Sequence, residues 1–366
     1  MRAVVEVNLE AIKTNIRMLG SKTEASLLAV VKADAYGHGL VPVAATALEA
    51  GASWLGVALL EEAISLREAG IKAPLIAWLV PSGEDFEAAI RADIDLSISS
   101  ISALEEILGV AKQVGRKPRL HIEVDTGMHR GGLLGQWEEF LNFAQEHRDE
   151  FSLIGFWSHF ARADEPGESY NDLQLQEFTR KLDQLTSQGL TPEIIHFANS
   201  AATLNLPQAH HSMVRLGIAM YGLSPDRSAL GSSDQLGLLP AMSVKAKLHL
   251  VKQVHKGDAI GYGGAAIASR DTTLGVVVMG YADGLPRIAT NEAGALYDGN
   301  KAPLIGRVSM DQCVIDLGPE SSAEAGDYVT LIGSEGYTAD DWAKASGTIN
   351  YEIVTRIATR VPRIYL

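Results

Sequence analysis

Cysteine is almost absent: Cys313 is the only one in 366 residues. No intrachain disulfide can form, and nothing points to an oxidising compartment. Long apolar runs are missing too. The longest, such as Leu75–Val80 and Leu27–Val31, fall far short of the roughly 20 residues that span a bilayer. The segment from Met1 to Asn8 is interrupted by charge and has no apolar h-region, so it does not read as a signal peptide. Basic charge is scarce. Thirty-one Lys and Arg against 45 Asp and Glu give a net charge of −14, the wrong sign for sequence-independent binding to nucleic acid or an anionic membrane. No internal repeat or low-complexity stretch occurs. These absences leave the expectation of a soluble cytoplasmic protein. With 46% hydrophobic residues, it is long enough for one large domain or two, and can bury a core without staples.

The first two-thirds of the chain alternates short apolar runs with amphipathic stretches. Asn8 is a credible N-cap for a helix carrying Leu9, Ile12, Ile16 and Leu19. Eight apolar runs then read as strands: Leu27–Val31, Trp54–Leu59, Leu75–Leu79, Ile94–Ile98, Leu120–Val124, Leu153–Trp157, Ile194–Phe197 and Val214–Leu216. Continuous apolarity is what a parallel strand covered on both faces shows. Eight such strands with helices between them predict an α/β fold, a (β/α)8 TIM-like barrel, with a doubly wound open sheet as the alternative. After about Leu230 the texture changes. Met242, Val244, Ala246, Leu248 and Leu250 alternate with period two, and Gly-Asp and Asp-Gly turns separate β-rich runs at Thr273–Met279, Leu304–Val308 and Tyr328–Ile332. Thr338 and Asp341 have capping-box spacing. The expected division is a barrel over 1–235, linked through Gly231–Gln235 to a mainly β C-terminal domain over 236–366. An early strand at 1–8 can pair with that second domain.

Reactive groups of a barrel belong at the C-terminal ends of its strands. Lys32 ends the first run, Arg130 follows the fifth, His159 the sixth, Asn199 and Ser200 the seventh, and Arg215 lies in the eighth beside Gly217. A lysine after five apolar residues resists desolvation unless it is paired or loses its charge in covalent chemistry; a snorkelling strand terminus is the plainer reading. Backbone N–H groups after strands seven and eight can hold a phosphate. A lysine with such a cradle suggests pyridoxal phosphate, whose aldehyde forms a Schiff base with lysine.

The wording of these segments is more specific than their spacing. VVKADAYGHG at 30–39, VDTGMHRGG at 124–132, SHFARADE at 158–165, HFANSAA at 196–202 and VRLGIAMYG at 214–222 resemble the alanine racemase family, of the barrel class of pyridoxal-phosphate enzymes. So do GYGG at 261–264, GYADGLPR at 280–287, GRVSMDQ at 306–312 and INYEIVTRI at 349–357. The resemblance covers essentially the whole chain. It implies interconversion of L- and D-alanine by a two-base mechanism, supplying D-alanine for peptidoglycan, in a homodimer with shared active sites and without a metal. Lys32 would carry the cofactor and serve as base on one face of the substrate, and Tyr262 of the partner subunit on the other. A phenol is a poor base at neutral pH unless its anion is stabilised; His159 would contact Tyr262, and Arg215 would contact His159. Arg215 would also donate to the pyridine nitrogen. Because arginine only donates, that nitrogen stays unprotonated, which weakens the ring as an electron sink and limits transamination. By the same resemblance Tyr36, Ser200, Gly217, Ile218 and Tyr351 bind the phosphate, Arg130 and Met310 meet the substrate carboxylate, and Tyr281 narrows the entrance with Tyr262 and Tyr351. Glu123 and Asp311 act as orienting residues, while Asp34 and His38 shape their loop without chemistry.

One departure from the family pattern is informative. Many relatives carry a lysine, modified as a carbamate, seven residues before the substrate arginine; this chain has Glu123. The expectation is that the Glu123 carboxylate orients Arg130 directly. His129 replaces a common glycine, and Ser309 a cysteine found in some relatives. Other classes fit less well. Pyridoxal-phosphate carriers typically lack a second β-domain, and basic amino-acid decarboxylases place a carboxylate where Arg215 stands. A metal-dependent barrel hydrolase would need paired histidine ligands, and the chain has no His-x-His. Broad-spectrum racemases typically carry an export signal and extra cysteines.

Overall fold

The structure, a computed structural model, describes residues 1–366. The chain forms two compact units, one of Ile12–Ala35 with Leu40–Leu238, the other of Met1–Ala11, Tyr36–Gly39 and Leu239–Leu366. The first strand, β1 (Ala3–Val7), belongs to the second of these. In the first, eight strands close into a parallel barrel in sequence order: β2 (Ser26–Val30), β3 (Trp54–Val57), β4 (Leu75–Ala77), β5 (Asp95–Ile98), β6 (Arg119–Glu123), β7 (Ser152–Trp157), β8 (Ile194–His196) and β9 (Met213–Leu216). Each falls on one of the eight apolar runs. The barrel closes by pairing β2 with β9, Leu28 opposite Arg215. Helices lie between the strands, and the best defined are closed by local chemistry. Ile101–Val114 is capped by Ser100, whose hydroxyl accepts from Ala103 N at 3.2 Å, and ends at the left-handed Gly115.

The other unit is built on a sheet that includes the N-terminal strand. The long β10 (Met242–Val254) pairs antiparallel with β1, placing Ala3 opposite Ala246, and β18 (Arg363–Tyr365) lies parallel to β1 on its other side. Burial alternates along β10 from Met242 to Leu248, as the period-two pattern predicts. The unit also contains β11 (Ala259–Ile260), β12 (Ala266–Ile267), β13 (Thr272–Val277), β14 (Gly294–Tyr297), β15 (Asn300–Pro303), β16 (Cys313–Gly318) and β17 (Tyr328–Ile332). Only Leu304 of the expected run Leu304–Val308 pairs, as an isolated bridge to Ile315. The hairpin is β14–β15 instead, turning at Asp298 and Gly299 with φ of 46° and 73°. Its register is set by that two-residue turn, which outweighs the hydrophobicity of the following run. Thr338 caps the helix Ala339–Ser346 with its reciprocal partner Asp341.

After β2 the chain does something no pattern in the sequence announces. The helical segment Lys32–Gly37 has φ between 52° and 54° at Ala33, Asp34, Ala35 and Tyr36, and 78° at Gly37. This is a left-handed turn. For residues with a Cβ it costs roughly 1–2 kcal/mol each, so it persists only because its surroundings hold it.

Candidate active site

Lys32 begins that left-handed turn, at the C-terminal mouth of the barrel. Side chains of Glu62, Asp34 and His38 clamp it. Glu62 Oε1 accepts from Ala33 N at 2.6 Å, and Glu62 Oε2 accepts from Ala58 N and Leu59 N at 3.0 and 3.1 Å. Asp34 Oδ1 accepts from Leu40 N at 2.8 Å, and a ring nitrogen of His38 lies 2.9 Å from the Tyr36 carbonyl. Asp34 and His38 therefore hold backbone. Burial lowers the Lys32 ammonium pKa, the charges of Arg130 and Arg215 lower it further, and only Glu62 opposes them. Lys32 Nζ lies 6.0 Å from the Trp78 ring centroid.

Arg215 projects from β9 and is buried. One terminal nitrogen lies 3.3 Å from His196 Nδ1 and donates to the His196 carbonyl at 3.1 Å; the other donates to the Ser158 carbonyl and to His159 Nδ1, both at 3.0 Å. Its Cζ lies over the Trp157 ring, 4.9 Å from the centroid. Guanidinium has five N–H donors. The four terminal ones are occupied, leaving Nε–H. Burial pulls the Arg215 pKa down to about 10, against the pull of Glu123, so it remains a cation at neutral pH. Since Arg215 only donates, His159 Nδ1 accepts and the ring's proton is on Nε2. Burial, with Arg215, Arg130 and Lys32 nearby, holds the His159 pKa well below the ordinary histidine value. The ring is neutral.

Ser200 opens the short helix Ser200–Asn205 after β8, capped by Asn199, whose side chain accepts from Ala202 N at 3.0 Å. Ser200 Oγ accepts from Gly217 N at 2.8 Å and from Ala219 N at 3.3 Å. Both lone pairs are filled, so its one O–H is left to donate to something else. Ile218 starts the 3-10 turn Ile218–Tyr221, where the leading N–H groups have no partner inside the turn.

Arg130 lies in a loop closed by the Val124–Leu133 bridge. Asp125 Oδ1 braces it, accepting from Gly127 N at 2.8 Å and His129 N at 3.2 Å; His129 itself adopts φ 55°. The direct Glu123–Arg130 contact expected from the sequence is not made. Ser99 Oγ donates to Glu123 Oε2 at 2.6 Å instead. A Cβ at Gly131 would lie 3.2 Å from both carboxylate oxygens, so the carboxylate packs against the loop backbone rather than the guanidinium. Burial raises the Glu123 pKa, opposed by Ser99, Arg215 and Arg130. The two groups interact through their charges, without an ion pair.

The remaining predicted residues belong to the other unit. Tyr36 and Tyr351 lie ring to ring, centroids 6.2 Å apart, and burial pushes the Tyr36 phenol up. Tyr262 sits on the turn between β11 and β12, after the left-handed Gly261, and is 70% exposed. Tyr281 and Met310 come from two interlocked segments: Tyr281 N donates to Ser309 O and Ala282 N to Met310 O, both at 2.9 Å. A Cβ at Gly280 would fall 2.3 Å from Ser309 O, so only glycine fits. Asp311 accepts from Arg360 at 2.7 Å, and Arg360 also bonds the buried Asp283 at 2.6 Å. Asp311 thus anchors the Met310 loop.

A closed parallel barrel with a desolvated lysine, a buried arginine and donors at its C-terminal mouth, joined to a mainly β unit, defines an enzyme of the barrel class. The family models of the alanine racemase N-terminal and C-terminal domains match residues 7–225 and 241–365. Alanine racemases of Salinispora tropica and Frankia casuarinae are each 46% identical over 100% of this chain, covering 98% and 97% of theirs. Among solved structures, the alanine racemase of a D-cycloserine-producing Streptomyces lavendulae superposes with a TM-score of 0.97 at 45% identity, over 100% of this chain and 97% of that one. The alanine racemase of Streptomyces coelicolor gives 0.96 at 44%, over 100% and 98%. The chain belongs to the alanine racemase family.

Proposed function

We propose that the chain interconverts L- and D-alanine with pyridoxal phosphate and two bases on opposite faces of the substrate, Lys32 and Tyr262 of the partner subunit. The observation that carries this reading is Arg215: buried, cationic, with four terminal donors occupied and Nε–H left over. That donor set suits an unprotonated pyridine nitrogen, and the remaining Ser200 O–H suits a phosphate oxygen. When bound, the cofactor supplies an aldehyde that condenses with amines and a ring that draws electron density from the substrate Cα.

Lys32 would hold the cofactor and, once displaced by substrate, take or return the Cα proton at Nζ. Its lowered pKa increases the neutral fraction that can act as base. Tyr262 Oη would do the same on the other face, its anion stabilised by a hydrogen bond from His159 Nε2–H. Ser200, Gly217, Ile218, Tyr36 and Tyr351 are assigned to the phosphate, and Arg130 with Met310 N–H to the substrate carboxylate. Tyr281 limits side-chain size. The β-unit exposes Tyr262, Ile288 and Met310 by 70%, 70% and 55%, apolar surface of the kind a second copy covers. The D-alanine would feed peptidoglycan synthesis in the cytoplasm.

Chiral analysis of L-alanine incubated with the purified protein and added pyridoxal phosphate tests this, with L-serine and L-lysine alongside. D-alanine forming fastest is the expected result. Cofactor binding without any D-amino acid or amine product would favour a carrier and contradict the proposal.

A further inference from the structure

Behind Arg215 a line of buried polar side chains crosses the barrel interior from the strand beginnings to their ends. Arg119, the first residue of β6, bonds both oxygens of Asp95 at 2.6 and 3.1 Å, and Asp95 is the first residue of β5. Asp95 Oδ2 lies 3.2 Å from His121 Nε2, His121 Nδ1 lies 3.0 Å from His196 Nε2, and His196 Nδ1 lies 3.3 Å from Arg215. Asp95, His121 and His196 are 1%, 0% and 1% exposed. Space has been made for the line: a Cβ at Gly155 would fall 1.9 Å from His121 Nδ1. Trp157 stacks on His196 at 5.7 Å, and Trp54 meets His121 edge-on at 5.6 Å. Polar groups in such surroundings are tolerated only when every one is paired.

Pairing them all leaves a single arrangement of protons. Arginine cannot accept, so His196 Nδ1 must; a neutral imidazole has one N–H, so His196 Nε2 donates. His121 Nδ1 then accepts, and its proton lies on Nε2, facing the Asp95 carboxylate. Every bond runs one way, from the guanidinium to the carboxylate. A reversed tautomer sets a donor against a donor, at His196 Nε2 if His121 alone reverses and at Arg215 itself if His196 reverses.

We infer that Asp95, His121 and His196 are positioning residues, a one-way relay that fixes the orientation of Arg215 and through it the preference for racemisation over transamination. This rests on the reading of Arg215 given above. An Asp95 amide could donate as well as accept, so Asp95→Asn frees His121 to take the other tautomer with little change of shape. His121→Phe breaks the line and leaves His196 Nε2–H without an acceptor.

The test uses the holoenzyme. First, nitrogen-15 NMR of labelled histidines in the wild type is expected to show both His121 and His196 protonated at Nε2 and not at Nδ1. Either ring found as the Nδ1–H form or as a cation overturns the relay. Second, pyruvate released per D-alanine formed is measured for Asp95→Asn, His121→Phe and, as reference, Arg215→Glu. The relay predicts a rise of about tenfold in the two inner variants, the scale of one lost buried hydrogen bond. A rise in Arg215→Glu without one in the inner variants overturns the relay alone. No rise in any of them overturns the reading of Arg215 and the relay with it. A lower melting temperature with an unchanged ratio makes the line merely structural, which also overturns the inference.

Discussion

Lys32 has two guanidinium charges and one carboxylate as neighbours, and burial is the largest influence on it. A lysine whose pKa is depressed on folding lowers stability fully below its folded value, and the loss disappears as pH rises to the ordinary lysine range. Lys32→Met in the cofactor-free protein is therefore expected to melt higher than wild type at pH 7, with the gap closing as the pH is raised toward the ordinary lysine value. Thermal melts across that range check it; a gap independent of pH would contradict the desolvation argument. Glu123 has the opposite sign. Its raised pKa means that ionisation is opposed in the folded state, and its bond to Ser99 survives in the amide. Glu123→Gln is expected to leave stability unchanged or raised at neutral pH, and to weaken alanine binding through the lost field at Arg130, as a higher KM with kcat little altered. Unchanged alanine affinity in both Glu123→Gln and Glu123→Lys would remove Glu123 from the site.

The left-handed turn after β2 is the element on which the site depends and the one least legible in the sequence. The strands were readable because parallel strands covered on both faces need unbroken apolar runs, and the Thr338 cap because a capping box is local. The turn has no such signal: Ala33, Asp34 and Ala35 are ordinary helix or cap residues, and only Gly37 hints at positive φ. Its restraint comes from Glu62, thirty positions beyond Lys32 and unremarkable in its own helix. For the same reason the motifs pointed to Lys32 and Arg215 but not to His121 and His196, which read as single polar residues on separate strands. Long-range pairing, which a lone sequence does not display, brings them to 3.0 Å. Two outcomes follow for this element. Ala33→Gly, at an exposed position with φ 53°, is expected to stabilise by about 1 kcal/mol through relief of the left-handed penalty. Glu62→Ala is expected to destabilise by about 2–3 kcal/mol by removing the acceptor for three N–H groups. Denaturant unfolding of the cofactor-free protein measures both, and the reverse order would mean that the turn is not strained or is held elsewhere.

At the scale of the whole molecule, the proposed chemistry needs a second copy, because the tyrosine assigned to one face of the substrate is 70% exposed on the chain that carries it. Each site would combine Lys32 of one subunit with Tyr262 of the partner subunit. Lys32→Ala and Tyr262→Phe each impair both sites of their own dimers. A mixed dimer places both defects in one site and leaves the other intact. Refolding the two impaired variants together and assaying D-alanine formed from L-alanine tests that claim directly. Random pairing should restore about a quarter of wild-type activity, half of the dimers being mixed with one working site each. Activity no higher than the average of the two variants alone would contradict a shared site.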